Sequence, residues 1–405
     1  MNRASAPAES SEAVYKMPDQ ALVDIIDAPK TPSLNIAPDR EWAVLIKRPG
    51  YPSIAELAEP ELRLAGLRIK PDNHSPSRVW PNNELEFLRI EDGWSRRIDG
   101  LPVNPRITNI SWSPDGEHLA FTNTTPDGVE LWVADLETSQ ARRLTDPIVS
   151  LAADNGPEWM SDSRTLVCCL VSDHGPAPKA PRVPAGPVIQ KSLGETAPAR
   201  TYRDLLQNPY DEELFDYYLT SQLALVGLDG SFITLGEPAV IWGFRSSPDG
   251  RYFIVHTLHR PYSYMVPASR FPELIEIWDA DGNVVHRVAD QPLRDNIPIS
   301  RGSVETGPRY VDWRADAPAT LCWVEALDGG DAGAEAEFRD RVFMLEAPFD
   351  AEPVELITLE LRFSEIDWGH DELAVASEWW WHDRRIRVWK VQPGSPEDSP
   401  ELLMD

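Results

Sequence analysis

Six times along this chain a short apolar run breaks at a tight polar turn and resumes as a second apolar run. In the fullest copy Ser111-Trp112 leads into Ser113-Pro114-Asp115-Gly116, and His118-Leu119-Ala120-Phe121 follows. Phe244-Arg245-Ser246-Ser247-Pro248-Asp249-Gly250 precedes Tyr252-Phe253-Ile254-Val255 in the same way. Looser copies are Ile36-Ala37-Pro38-Asp39-Arg40 before Trp42 and Val44, and Trp159-Met160-Ser161-Asp162-Ser163 before Leu166-Val167. Two more are Trp313-Arg314-Ala315-Asp316 before Leu321 and Trp368-Gly369-His370-Asp371 before Leu373 and Val375. Pro presets the backbone of the first central turn position, Asp suits the second, and Gly closes a type I turn. Each copy therefore predicts a strand, a turn and a second strand.

Counted at the position of Pro114, the copies fall at residues 38, 114, 161, 248, 315 and 370. The intervals run from 47 residues (114 to 161) to 87 (161 to 248). Each is long enough for a four-stranded unit, which needs about 40–50 residues. After the second turn, strands are predicted at 118–122, 130–135 and 141–145; after the fourth, at 252–257, 275–279 and 284–288. The pattern predicts an all-β fold, a β-propeller of four-stranded blades in which radial repetition leaves only short edges. Six blades are visible and a seventh is missing or incomplete. A two-sheet sandwich would not repeat one turn phrase at the same place in every unit.

Two domains of unequal weight follow. Residues 1–32 form an N-terminal lead, disordered over 1–17, with a short amphipathic helix over 19–26 and Asp19 as its N-cap. Residues 33–405 form the propeller. Within it, 54–66 is expected as helix or loop rather than strand. An insertion at about 173–220 opens with Pro176, Pro178, Pro181, Pro184 and Pro187, an extended segment. It continues over 201–218 with Leu205, Leu206, Leu214, Phe215 and Tyr218 at helical spacing, an ordered excursion on a face or rim. Strands at 373–377 and 386–391 belong to the last visible unit, and beyond Gln392 the chain turns polar and Pro-rich.

Composition narrows the partners. The 405 residues carry 66 acidic against 38 basic side chains, a net charge of -28, which argues against nucleic acid or an anionic membrane as partner. Fifteen tryptophans and 38 prolines suit a fold with aromatic packing between units and stiffened loops. Cys168, Cys169 and Cys322 give neither a disulfide framework nor a zinc spacing, and are expected as buried thiols in a reducing compartment. No basic-then-apolar leader opens the chain and no apolar run approaches the roughly 20 residues needed to span a bilayer. The expected location is cytoplasmic.

The catalytic motifs sought are missing from these residues. Gly-x-Ser-x-Gly does not occur; Arg301-Gly302-Ser303-Val304-Glu305 and Pro393-Gly394-Ser395-Pro396 only approach it. His-Glu-x-x-His, a Walker loop and a dinucleotide-binding glycine fingerprint are not found either. No catalytic set, metal site or cofactor is expected. The chemistry that stands out lies between 259 and 309. His259-Arg260-Pro261-Tyr262-Ser263-Tyr264-Met265-Val266-Pro267 is too aromatic for an ordinary solvated loop, and 301–309 is a second rich loop. Arg260, Arg301 and Arg309 with Tyr262 and Tyr264 are the candidate substrate-binding residues, since guanidinium forks suit carboxylates and tyrosines add shape and a hydroxyl. The plain alternative is that these arginines pair with some of the 66 acidic residues as structural clamps.

Longer phrases carry a family resemblance. The turn phrase with Leu131-Trp132-Val133-Ala134-Asp135 resembles the propellers of the prolyl oligopeptidase family of serine peptidases. Leu205-Leu206 with Asp211-Glu212-Glu213-Leu214-Phe215-Asp216-Tyr217-Tyr218, Pro261-Tyr262-Ser263-Tyr264, Gly307-Pro308-Arg309-Tyr310-Val311-Asp312-Trp313-Arg314, and the stretch from Pro318 to Asp331 resemble its glutamyl endopeptidase branch. The resemblance covers the chain from about residue 17. It implies a propeller that gates an α/β-hydrolase domain bearing a Ser-Asp-His triad, peptide or protein substrates, and cleavage after acidic residues. This sequence matches the propeller alone, so no triad residue carries over. A gating portion that is inactive by itself, completed by a separately encoded α/β-hydrolase domain, is the first expectation. A free-standing propeller serving as a protein-binding or scaffolding module is the alternative, and an open-ringed remnant with exposed strand edges is the third.

Overall fold

The computed structural model describes residues 17–173, 175–182 and 201–405, and among these the regular structure is almost wholly antiparallel strand. The expected disorder of the lead falls outside the described residues apart from Met17, as does 183–187 of the Pro-rich segment. The helix Gln20–Ile26 forms where predicted, and the Asp19 side chain accepts a hydrogen bond from the Ala21 N–H.

The turn phrase explains itself at atomic level. Ser113 Oγ donates to Asp115 Oδ1 (2.5 Å) and accepts from the His118 N–H (2.9 Å). The Gly116 N–H closes onto the Ser113 carbonyl at 2.9 Å, with Gly116 at φ +76°. Ser247, Asp249, Gly250 and Tyr252 repeat the set at 2.7, 2.8 and 3.0 Å. Arg40 and Ser163 occupy the glycine position of the weaker copies at φ +61° and +58°, uncommon backbone for residues with a Cβ.

Strands pair in chain order. The first sheet holds Ser33–Ile36, Trp42–Lys47, Glu84–Arg89 and Ser95–Arg97; the second holds Ile107–Trp112, His118–Thr125, Gly128–Asp135 and Gln140–Arg143. The third has seven strands: Glu158–Trp159, Thr165–Val171, Thr220–Gly227, Phe232–Ser246, Tyr252–Leu258, Glu273–Asp279 and Val284–Gln291. Its middle strand, Phe232–Ser246, pairs near its start with 223–226 and near its end with 253–258. The fourth sheet holds Arg309–Trp313, Thr320–Ala326, Asp340–Glu346 and Val354–Leu359; the fifth holds Arg362–His370, Leu373–Trp379, Ile386–Val391 and Glu401–Met404.

Successive sheets stack through their apolar faces. Leu131 and Val133 of the second meet Leu166, Cys168 and Val226 of the third. Ile254, Ile275 and Ile277 of the third meet Trp313, Leu321 and Trp323 of the fourth, and Val324 and Val342 of the fourth meet Ala374 and Ala376 of the fifth. One polar contact recurs between neighbours. Trp112 Nε1 donates to the Asn35 carbonyl (3.2 Å), Trp159 to Ser111 (3.1 Å) and Trp313 to Arg245 (3.1 Å). Each acceptor lies three residues before the first turn residue that aligns with Pro114, so equivalent positions meet equivalent positions.

Two expectations change. Residues 54–66 hold a one-turn helix, Ile54–Leu57, and also a strand, Leu62–Leu64, which pairs with Leu67–Lys70; that strand pairs in turn with Ser75–Pro76, making a small three-stranded extra sheet. The polar tail contains the strand Glu401–Met404, paired along Ile386–Val391. The insertion carries the helix Pro209–Leu219.

Candidate functional site

Antiparallel pairing sorts the connections by length. The turn phrases link the first and second strand of each set, so links between second and third strands emerge at the opposite end. Those links are long at 47–84, 171–220, 258–273 and 326–340, and the short 379–386 link emerges at the same end. The 291–309 link joins them. Three of them fuse into one packed cap. Leu64 and Ile69 from the first, Leu214, Phe215, Tyr218 and Leu219 from the second, and Val266, Ala268 and Phe271 from the third share a single buried cluster. Backbone bonds stitch it: Gly66 N–H to Asp204 O (2.8 Å) and Ala268 N–H to Ala65 O (2.7 Å). Gly66 sits at φ +90°, and a Cβ there would lie 2.9 Å from Pro267 Cβ, so both conformation and contact require glycine.

The cap holds three of the predicted site residues. In the helix Pro209–Leu219, Asn208 caps the N-terminus through the Asp211 N–H (3.1 Å) and Pro209 occupies its first turn. Phe215 is buried, while Glu212 and Asp216, four apart, share the face toward the 258–273 loop. Arg260 reaches Asp216 through Nε (3.1 Å) and Nη2 (2.7 Å) and bonds Glu212 through Nη1. Tyr262 donates to Asp216 Oδ1 and Tyr264 to Glu212 Oε1, both at 2.5 Å. Burial and the Asp216 carboxylate push the Tyr262 phenol well above its usual range. Burial together with Glu212 pushes Tyr264 up to about 12. His259 fixes the loop through Asp290 (3.0 Å). The arrangement is a clamp with its donors and acceptors matched, and Arg260 keeps about half of its side chain (48%) exposed.

Arg309 and Arg301 lie elsewhere. Arg309 is buried against Asp340, whose other oxygen accepts from Arg362 Nη1 at 2.9 Å. Arg362 also grips Asp328 at 2.7 and 2.8 Å, and Arg339 reaches Asp328 at 2.7 Å. Arg309 Nε and Nη1 are buried without a hydrogen-bond partner. Arg301 is exposed and lies over the Trp381 ring, 3.5 Å from its centroid. The five predicted residues therefore divide into a clamp, a buried ion network and a surface stack. Sequence reasoning missed Trp379-Trp380-Trp381-His382-Asp383-Arg384, although a triple tryptophan beside basic residues was there to be seen.

A small hollow of about 60 Å³ opens between the small sheet and the second sheet, lined by Lys70, Arg106, Thr108, Asn109, Thr124 and Asp154. Burial raises the Asp154 carboxyl above its usual range. Among the described residues no cluster of His, Cys, Asp and Glu is arranged to hold a metal, and no helix is long and apolar enough to cross a membrane.

Over 96% of its length the chain is 38% identical to a probable chloroplastic glutamyl endopeptidase of Oryza sativa subsp. japonica, and 40% identical to its namesake in Arabidopsis thaliana. This chain is a relative of the glutamyl endopeptidases. It spans 43% and 42% of the length of those two relatives. No family model matches it. Among solved structures, the Pyrococcus horikoshii acylaminoacyl peptidase matches with a TM-score of 0.43 at 11% identity, over 90% of this chain and 45% of that one. The tricorn protease matches with a TM-score of 0.45 at 10% identity, over 93% and 31%. Both glutamyl endopeptidase relatives are described as chloroplastic, which does not fit the cytoplasmic location expected here.

Proposed function

We propose that this glutamyl endopeptidase relative is the substrate-gating β-propeller portion of a serine peptidase. In this proposal the five sheets form six four-stranded blades, with Phe232–Ser246 serving as the last strand of the third and the first of the fourth. The catalytic serine belongs to an α/β-hydrolase domain, supplied by the rest of a longer polypeptide or by a separate chain, and the propeller alone cleaves nothing. The observation that carries the proposal is the identity spread over 96% of this chain but only 42–43% of each relative. The recurring indole-to-carbonyl bonds between equivalent strands support a radial succession. The three buried free thiols suit a reducing compartment.

In the same proposal the cap stands at the mouth through which peptides pass, and Arg260 with Tyr262 and Tyr264 contacts acidic side chains there. The test is a Glu-directed peptidase assay of the isolated chain and of the chain combined with a relative's hydrolase domain. No cleavage by the chain alone is expected, and cleavage by the combination that serine-directed reagents abolish. In the combination, Arg260→Ala is expected to raise KM for Glu substrates with kcat little changed. Robust cleavage by the isolated chain that resists those reagents overturns the proposal.

A further inference from the structure

The end of the molecule that carries the long links also holds two guanidinium groups with no carboxylate partner. Arg301 and Arg384 lie over the Trp381 ring, 3.5 and 3.7 Å from its centroid. Both are exposed, and among the described residues neither side chain makes an ion pair or hydrogen bond. Among the described residues half of the exposed arginines make ion pairs, Arg260, Arg385 and Arg251 among them, and 66 carboxylates against 38 basic groups leave no shortage of partners. Two like charges have instead been gathered on one indole.

The surroundings hold the stack in place. The hairpin between Leu373–Trp379 and Ile386–Val391 is closed by the Trp380 N–H to the Arg385 carbonyl (2.9 Å). The neighbouring carboxylate of Asp383 accepts the Arg385 N–H (3.1 Å). Arg384 takes φ +64°, a backbone state in which residues with a Cβ are uncommon, and it turns back over Trp381. Trp379 supports Trp381 edge-on, with centroids 5.7 Å apart at 72°. Trp380 is covered by Arg339, which Asp328 holds.

Two groups this close to one centroid cannot share a face, so they flank the indole about 7 Å apart. A guanidinium stacked on a ring keeps its N–H edge free for a bidentate carboxylate. In an extended peptide, side chains at i and i+2 point the same way and sit about 7 Å apart. We infer that Arg301, Trp381 and Arg384 form a binding site for an extended peptide with acidic residues at alternate positions, one carboxylate to each guanidinium. The site acts by binding, not by cleavage, and the inference stands whether or not the peptidase proposal does.

The test is fluorescence anisotropy with the full chain at low salt and three labelled hexapeptides: Glu-Ala-Glu-Ala-Glu-Ala, its Gln counterpart, and the block isomer Ala-Ala-Ala-Glu-Glu-Glu. The alternating Glu peptide is expected to bind at least about tenfold more tightly than the Gln peptide, and to weaken with salt. Arg301→Gln and Arg384→Gln, both at exposed positions, are each expected to weaken it by about fivefold or more. Arg384→Lys, which keeps the charge and loses the planar fork, should fall between wild type and Arg384→Gln. Equal binding of the block and alternating peptides, or unchanged binding by both Gln variants with native circular dichroism, overturns the inference.

Discussion

Replacing Asp340 with Ala removes a carboxylate shared by two buried arginines. Its side chain is fully buried, and it accepts from Arg309, from Arg362 at 2.9 Å and from the Phe363 N–H at 2.7 Å. Arg309 and Arg362 are themselves only 4% and 5% exposed. With Asp340 present, three arginines (309, 339 and 362) face two aspartates (328 and 340). Without it, three face one, and water cannot reach the uncompensated charge. Removing one partner of a buried pair costs about 3–5 kcal/mol. In urea unfolding followed by tryptophan fluorescence, that corresponds to a midpoint lowered by about 1 M if the slope is near 3–4 kcal/mol/M. Arg309→Met should recover part of the loss in the double variant, because the orphaned charge goes with it, giving a coupling of about 1 kcal/mol or more. A loss under about 1 kcal/mol, or strict additivity of the two substitutions, would refute the reasoning.

Three further outcomes are expected. Trp313→Phe keeps most of the apolar contact but loses the bond to the Arg245 carbonyl, and should lower stability by about 0.5–1.5 kcal/mol in the same assay. Gly282→Ala should cost more than about 1 kcal/mol, because φ is +83° and the new Cβ would lie 2.3 Å from the Gly236 nitrogen; an unshifted midpoint contradicts this. Burial pushes the Cys169 and Cys322 thiols up to about 12 and Cys168 higher still. All three should resist a thiol reagent at pH 8 in the native protein and react after unfolding. Because folding raises these values, the stability they contribute is fully present below the free-thiol range near 9 and is lost as pH rises toward 12.

The strands next to the turn phrases were legible because they are central and apolar: Thr165–Val171 and Leu373–Trp379 fall where their patterns placed them. Glu401–Met404 was not, because it is an edge strand exposed along its whole length, so no inward face imposes alternation. The small sheet was hidden by brevity, with strands of 3, 4 and 2 residues. At the candidate site the sequence showed which residues were rich in chemistry but not how they were spent. Arg260 finds Asp216 across 44 positions and Arg309 finds Asp340 across 31, distances over which local patterning carries no information. The joining of three links into one cap is likewise a tertiary event. Leu64, Phe215 and Phe271 each read as an ordinary apolar residue until the fold brings them together.

The fifteen-residue strand Phe232–Ser246 has a mechanical consequence. It pairs with Thr220–Gly227 along its first part and with Tyr252–Leu258 along its last, each ladder interrupted by one register shift, so the strands on either side of it are tied into one plate. The first sheet meets the second, and the third meets the fourth, through side-chain packing, an indole bond and scattered backbone bonds such as Asp99 N–H to the Ser139 carbonyl and Asp249 N–H to the Pro318 carbonyl, with no continuous strand ladder between them. Under load or thermal agitation the compliance of the molecule is concentrated at those junctions, and the plate serves as the fixed frame against which they flex.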